Sequence, residues 1–148
     1  MTAIDTTAPS QTESITFEFD LHHAPEKVWR ALTDMALLKE WLLPVVDLKL
    51  EPGAAFEFKT QPYPGWDGVV NCRMLEIEAH RKLSYTWVVG DMGLDTVVTF
   101  TLTPTASGTH LSLVQSGFKP TQKQNFGGAR YGWKLMSGKL VDLLERIP

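Results

Sequence analysis

The chain is predicted to fold as an α+β domain: a curved antiparallel sheet wrapped around a long C-terminal helix, with two short helices after the first strand. Three observations predict it. Apolar and polar residues alternate with a period of two in an early segment and again in a succession of segments through the middle of the chain. The joins between those segments are short, which favours an antiparallel meander over crossover connections. After Gly127-Gly128 the apolar period becomes helical, and the stripe is broad enough to need a sheet as its partner.

Residues 1–14 are rich in Thr, Ser and Ala and poor in large apolar side chains, so a disordered N-terminal tail is expected there, with a single domain over 15–148. Ile15, Phe17, Phe19 and Leu21 alternate with polar neighbours, the pattern of a strand with one buried face. Pro25 suits a first helical position, and Val28, Trp29 and Leu32 follow at helical spacing. Asp34 is a good N-cap for a second short helix carrying Leu37, Leu38, Trp41 and Leu42, which Pro44 ends.

Leu48 and Leu50, then Phe56 and Phe58, alternate with charged residues on either side of Pro52-Gly53, which predicts a hairpin. Extended stretches follow at Val69 to Glu78, Leu83 to Val89, Thr96 to Thr103 and Thr109 to Ser116. Trp133, Met136, Leu140, Leu143, Leu144 and Ile147 form the final helical stripe, with Leu135 and Val141 widening it.

Composition excludes several classes. A chain of 148 residues can bury a real core without metal or disulfide staples. A net charge of −3, from 14 basic and 17 acidic residues, with no basic cluster, argues against a nucleic-acid partner. The one cysteine, Cys72, cannot form an internal disulfide. No apolar run is long enough for a membrane span and no leader pattern stands at the start, so a cytoplasmic protein is expected.

Motifs for chemistry are sparse. His22 and His23 point to opposite faces of an extended chain, and His80 and His110 are distant, so no metal site is expected. Cys72 has no base beside it in sequence and reads as a buried structural thiol. Ser116 and Lys119 match a Ser-x-x-Lys pattern, but at a strand end and without companion motifs. No phosphate-cradling glycine loop is present, and no cofactor is expected. Glu76 shares its parity with Val70, Cys72 and Met74, so it enters the interior if that face is the inner one, although Leu75 and Ile77 compete for it.

Three groups of residues resemble a known family. They are Ala24 to Asp34 with Trp41-Leu42-Leu43-Pro44, then Leu50-Glu51-Pro52-Gly53 with Leu75 to Glu78, then Arg81 to Trp87 with Ser116-Gly117-Phe118 and Gly132 to Leu135. In this order they resemble the helix-grip (START and birch-pollen-allergen, SRPBCC) superfamily, and within it the family named for the activator of the ninety-kilodalton heat-shock ATPase. The resemblance implies a ligand cavity between sheet and C-terminal helix. Relatives bind lipids or other apolar molecules, some act as polyketide cyclases, and the eponymous activator serves a chaperone in the stress response. That activator carries a second domain for which 148 residues leave no room, so a small apolar ligand (lipid, polyketide or aromatic) is expected ahead of a chaperone partner. A cyclase or dehydratase, with Tyr85, Glu76 or His110 moving protons, is the enzymatic alternative, and a homodimer is left open.

Five Trp, seven Phe and three Tyr are the best lead to a site. Trp29 reads as structural, packing the first helix on the sheet. Trp41, Phe58, Trp87, Phe100, Trp133 and Met136 come from different elements that the fold gathers around one interior, either as plain core or as the lining of an apolar chamber. Val70, Met74, Glu76 and Leu140 join them as candidate ligand contacts. Tyr85 adds a hydroxyl that could orient a ligand, and Trp66, in a Pro/Gly-flanked loop, is a candidate lid.

Overall fold

The computed structural model describes residues 3–8, 13–62, 64 and 66–148. Eight antiparallel strands form one sheet in the order β1-β2-β8-β7-β6-β5-β4-β3. The strands are β1 (Ala3–Asp5), β2 (Ser14–Leu21), β3 (Val45–Val46), β4 (Ala55–Lys59), β5 (Val69–Glu78), β6 (Lys82–Val89), β7 (Leu94–Pro104) and β8 (Thr109–Ser116). Helices α1 (Pro25–Thr33) and α2 (Met35–Trp41) follow β2, and α3 (Lys123–Arg146) closes the concave face of the sheet. This is the α+β helix-grip layout. No helix among the described residues is long and apolar enough to cross a membrane.

Local chemistry explains the elements. Ile15, Phe17, Phe19 and Leu21 of β2 turn inward opposite Gln115, Leu113, Leu111 and Thr109 of β8. Pro25 opens α1, and Asp34 Oδ1 accepts from the backbone N–H of Ala36 and Leu37 to cap α2. The Trp41 indole donates to the Ala31 carbonyl at 2.8 Å, locking the two short helices together. From α3, Trp133, Ser137, Leu140, Leu143 and Leu144 enter the core.

In the bounds and burial of its elements the structure departs from the sequence expectations in four places. Ala3–Asp5, read as tail, pairs with β2, while Met1, Thr2 and Pro9 to Thr12 of that segment lie outside the described residues. The reason is polar rather than apolar. Thr16 N donates to Thr7 Oγ1 at 3.0 Å, Thr6 N donates to the Thr16 carbonyl at 2.8 Å, and the Asp5 carboxylate pairs with the Arg130 guanidinium of α3. The partner of β4 is Val45–Val46, not the stretch around Leu48 and Leu50. Lys59 N donates to the Pro44 carbonyl and Asp47 adopts φ 60°, so the chain leaves the sheet before Leu48, and Leu50 is left exposed.

Helix α3 starts at Lys123, ahead of Gly127-Gly128, because Phe126 is anchored edge-to-face on Phe118 at 5.2 Å and tertiary packing outweighs the low helix propensity of glycine. Its apolar stripe is narrower than expected: Leu135 is exposed and Val141 half-buried.

Burial pushes the Asp5 carboxyl up, but hydrogen bonds from Arg130 and Thr7 outweigh it and hold the group below its ordinary value of 3.8. A depressed folded value means stability that is present above the ordinary value and lost as pH falls through the folded one. Asp5→Asn is therefore expected to cost about 0.5 kcal/mol near neutral pH, small because Arg130 is 41% exposed. Urea denaturation of both proteins across a pH series should show the gap closing in acid. A gap that persists well below the ordinary carboxylate value would contradict the pairing.

Candidate functional site

Alternation along the strands sends Phe58, Val70, Met74, Tyr85 and Phe100 to the concave face, where Trp41 of α2 and Trp133 and Leu140 of α3 meet them, and all eight are buried. Their rings touch in a continuous chain. Phe58 lies 6.1 Å from Tyr85 and 5.4 Å from Trp87; Trp87 lies 5.7 Å from Trp133; Phe100 lies 6.3 Å from Trp133 and 6.4 Å from Trp41. Phe56 joins through Tyr85 at 5.2 Å. At these separations the rings occupy the interior themselves. Most of the sequence candidates thus form one packed core, with Trp87 and Met136 at its half-buried margin.

Free space opens at one end of that core, where the start of α3 stands over β5, β6 and β7. The cavity there measures about 330 Å³, near the lower end of ordinary ligand pockets. Val70, Trp87, Val89 and Leu94 give its sheet wall; Leu43, Trp66 and Met92 come from connecting segments; Gln124, Asn125, Gly128 and Ala129 of α3 complete it. Of the candidate ligand contacts, Val70 and Trp87 lie on this wall, and the candidate lid Trp66 does as well. The loop carrying Trp66 is pinned at its base. Thr60 N donates to the Gly68 carbonyl at 2.8 Å, Gly68 has φ 81°, and a Cβ there would stand 2.3 Å from the Thr60 oxygen, so only glycine fits. The Trp66 indole donates to the Val69 carbonyl at 3.0 Å. A larger hollow of about 490 Å³ sits on the outer side of β4, β5 and β6, but Asp47, Glu57, Asn71, Arg73 and Thr86 give it a charged and polar lining.

Against models of known families, residues 22–145 match the family described as activator of Hsp90 ATPase homolog 1-like protein. The chain belongs to this family. Among solved structures, protein MLL2253 from Mesorhizobium loti is 42% identical, with a TM-score of 0.83 over 91% of this chain and 98% of that one. Protein CV1439 from Chromobacterium violaceum is 29% identical, with a TM-score of 0.74 over 91% and 99%. DynU16, a protein of the dynemicin biosynthetic locus, shares the fold at 20% identity and a TM-score of 0.77, over 92% of this chain and 48% of its own. No curated protein matches the chain.

In this member of the Hsp90 ATPase activator-like family, one buried polar chain stands behind the cavity. The Trp133 indole donates to Gln115 Oε1 at 2.7 Å, Gln115 Nε2 donates to Thr96 Oγ1 at 2.9 Å, and Thr96 Oγ1 donates to the Trp87 carbonyl at 2.8 Å. Gln115 and Thr96 are at most 1% exposed. The sequence did carry a signal for Gln115: it shares the inward parity of Leu111 and Leu113. The helix and loop contributions of Leu43, Met92, Gln124, Asn125 and Ala129 had no comparable signal, since no period marks the mouth of a cavity.

Glu76 is a correction. A register irregularity between Met74 and Glu76 breaks the alternation, so the carboxylate points to solvent and pairs with Lys82 Nζ at 2.9 Å. Nor do the proposed proton-transfer groups converge. His110 lies on the outer face beside Asp20 and Glu18, at 3.2 and 3.5 Å. Tyr85 is inside, where burial, with Cys72 alongside, raises its hydroxyl well above the usual range. Burial, with Glu57 nearby, likewise pushes the Cys72 thiol up, and it stays protonated near neutrality.

Removing Gln115 strands a buried indole N–H and takes away the donor to Thr96 Oγ1. Gln115→Leu is expected to cost about 1–3 kcal/mol in urea denaturation, and Trp133→Phe added to it should cost less than the two single changes summed. Strict additivity would show that the two side chains are not coupled.

Proposed function

We propose that this chain binds a small hydrophobic or aromatic molecule between its sheet and α3, with binding rather than catalysis as its principal activity. The supporting observation is the apolar cavity of about 330 Å³ flanked by Trp66 and Trp87. Its walls supply mainly desolvation: burying about 200 Å² of apolar ligand surface is worth roughly 5 kcal/mol before binding costs. Gln124 and Asn125 offer amide donors and acceptors for a polar edge of the ligand. The volume favours a compact ligand over a sterol.

The family description carries a chaperone-ATPase reading too. A partly open hollow of about 330 Å³ with a mainly apolar lining has the size of a small molecule rather than of a protein surface, which places ligand binding first. The cyclase or dehydratase reading lacks a shared space for its acid and base, because Glu76 and His110 are outside and Tyr85 is inside.

Tryptophan fluorescence during titration with fatty acids, sterols and polyphenols tests the proposal. At least one class is expected to change the emission saturably. Trp87→Ala should weaken that ligand about tenfold, whereas Trp29→Phe should leave its affinity unchanged. Emission unmoved by every class would overturn the reading.

A further inference from the structure

Resting on the cavity reading above, we propose that the cavity is a slot for a flat aromatic ring system and that Gly128 sets its thickness. On α3, Gln124, Asn125, Gly128 and Ala129 fall at spacings that share one face, and this face is the helix's side of the cavity. Opposite stand Trp87 and Leu94 of the sheet. Between the amides of Gln124 and Asn125 and the methyl of Ala129, the helical wall therefore carries no side chain at Gly128.

Three reasons can require a glycine, and two are absent at Gly128. Its φ is not in the left-handed range. Crowding does not demand it either: a Cβ added there meets no heavy atom within 4 Å, whereas at Gly68 and Gly108 it would strike backbone at 2.3 and 2.2 Å. A glycine inside a helix is a weaker helix former than alanine. What the missing side chain provides is the space itself, on the cavity side. Gly127 is equally uncrowded but is not on the wall, which makes it the internal control.

The walls of the space favour rings over chains. Trp66 and Trp87 both line it, and Trp133 packs behind Trp87 at 5.7 Å, so the sheet wall is backed by a second indole. Trp66 has its indole N–H engaged by the Val69 carbonyl, so its ring is held at the cavity rim. A planar aromatic ligand gains ring contacts with such walls in addition to the burial of its area.

The test uses the full chain with two probes, the neutral fluorescent aromatic N-phenyl-1-naphthylamine and lauric acid. The wild type is expected to bind the aromatic probe more tightly than the fatty acid. Gly128→Ala should weaken the aromatic probe and Gly128→Leu should weaken it by roughly tenfold or more, as an overfilled site does. Gly128→Ala and Gly127→Ala should both raise the melting temperature, and Gly127→Ala should leave binding unchanged. With the melting temperature of Gly128→Ala raised, loss of affinity in that variant cannot come from unfolding. Unchanged affinity in both Gly128 variants, or lauric acid binding as tightly as the aromatic probe, overturns the slot while leaving the cavity reading intact. A wild type that binds neither probe overturns both.

Discussion

The hydrogen bond from the Trp133 indole to the Gln115 amide is the constraint on which the interior depends. An indole N–H buried beneath a long helix must have a partner, and Gln115 of β8 supplies it. Gln115 in turn needs Thr96, and Thr96 needs the Trp87 carbonyl. That chain of obligations fixes the height and rotation of α3 over β6, β7 and β8. Once α3 is seated, Trp133 must lie against Phe100 and Trp87, and the remaining rings close around them. The packed core and the open cavity follow from the same seating: the helix is held down at Trp133, and one to two turns earlier its cavity side carries only Gln124, Asn125, Gly128 and Ala129.

Much of the framework was legible in the sequence because it is written in periods and caps. The inward parity of Ile15, Phe17 and Phe19, the Pro25 start, the Asp34 cap and the meander of β5 to β8 are local signals, and each element forms about where its signal stands. The features that were not legible depend on distant partners. Ala3–Asp5 becomes a strand through Thr16 and Arg130, far along the chain, and not through any apolar pattern of its own. For Glu76, parity with Val70, Cys72 and Met74 pointed inward while Leu75 and Ile77 competed for that face, and the irregularity in pairing between Met74 and Glu76 leaves its carboxylate outside.

The candidate site was legible only in composition. Fifteen aromatic residues announced either a core or a chamber, and the choice turns on whether rings from different elements touch, a matter of an ångström or two in element spacing. Here most of them touch. Trp41, Phe58, Tyr85 and Phe100 hold the sheet, α2 and α3 together, and the space left for a ligand lies beyond them, beside Trp66 and Trp87. Rigid aromatic packing on one side of a cavity and a glycine-bearing helix on the other divides the labour. The core supplies the stability that preorganises the wall, and the start of α3 gives up helix propensity for room.

The indole N–H signals in a proton–nitrogen NMR spectrum give the most direct test of this division, because five tryptophans report separately from core and cavity. On adding a saturating aromatic ligand such as N-phenyl-1-naphthylamine, the signals of Trp66 and Trp87 are expected to move and that of Trp41 to stay. Movement of Trp41 with Trp66 unchanged would place the ligand inside the aromatic core and contradict the account.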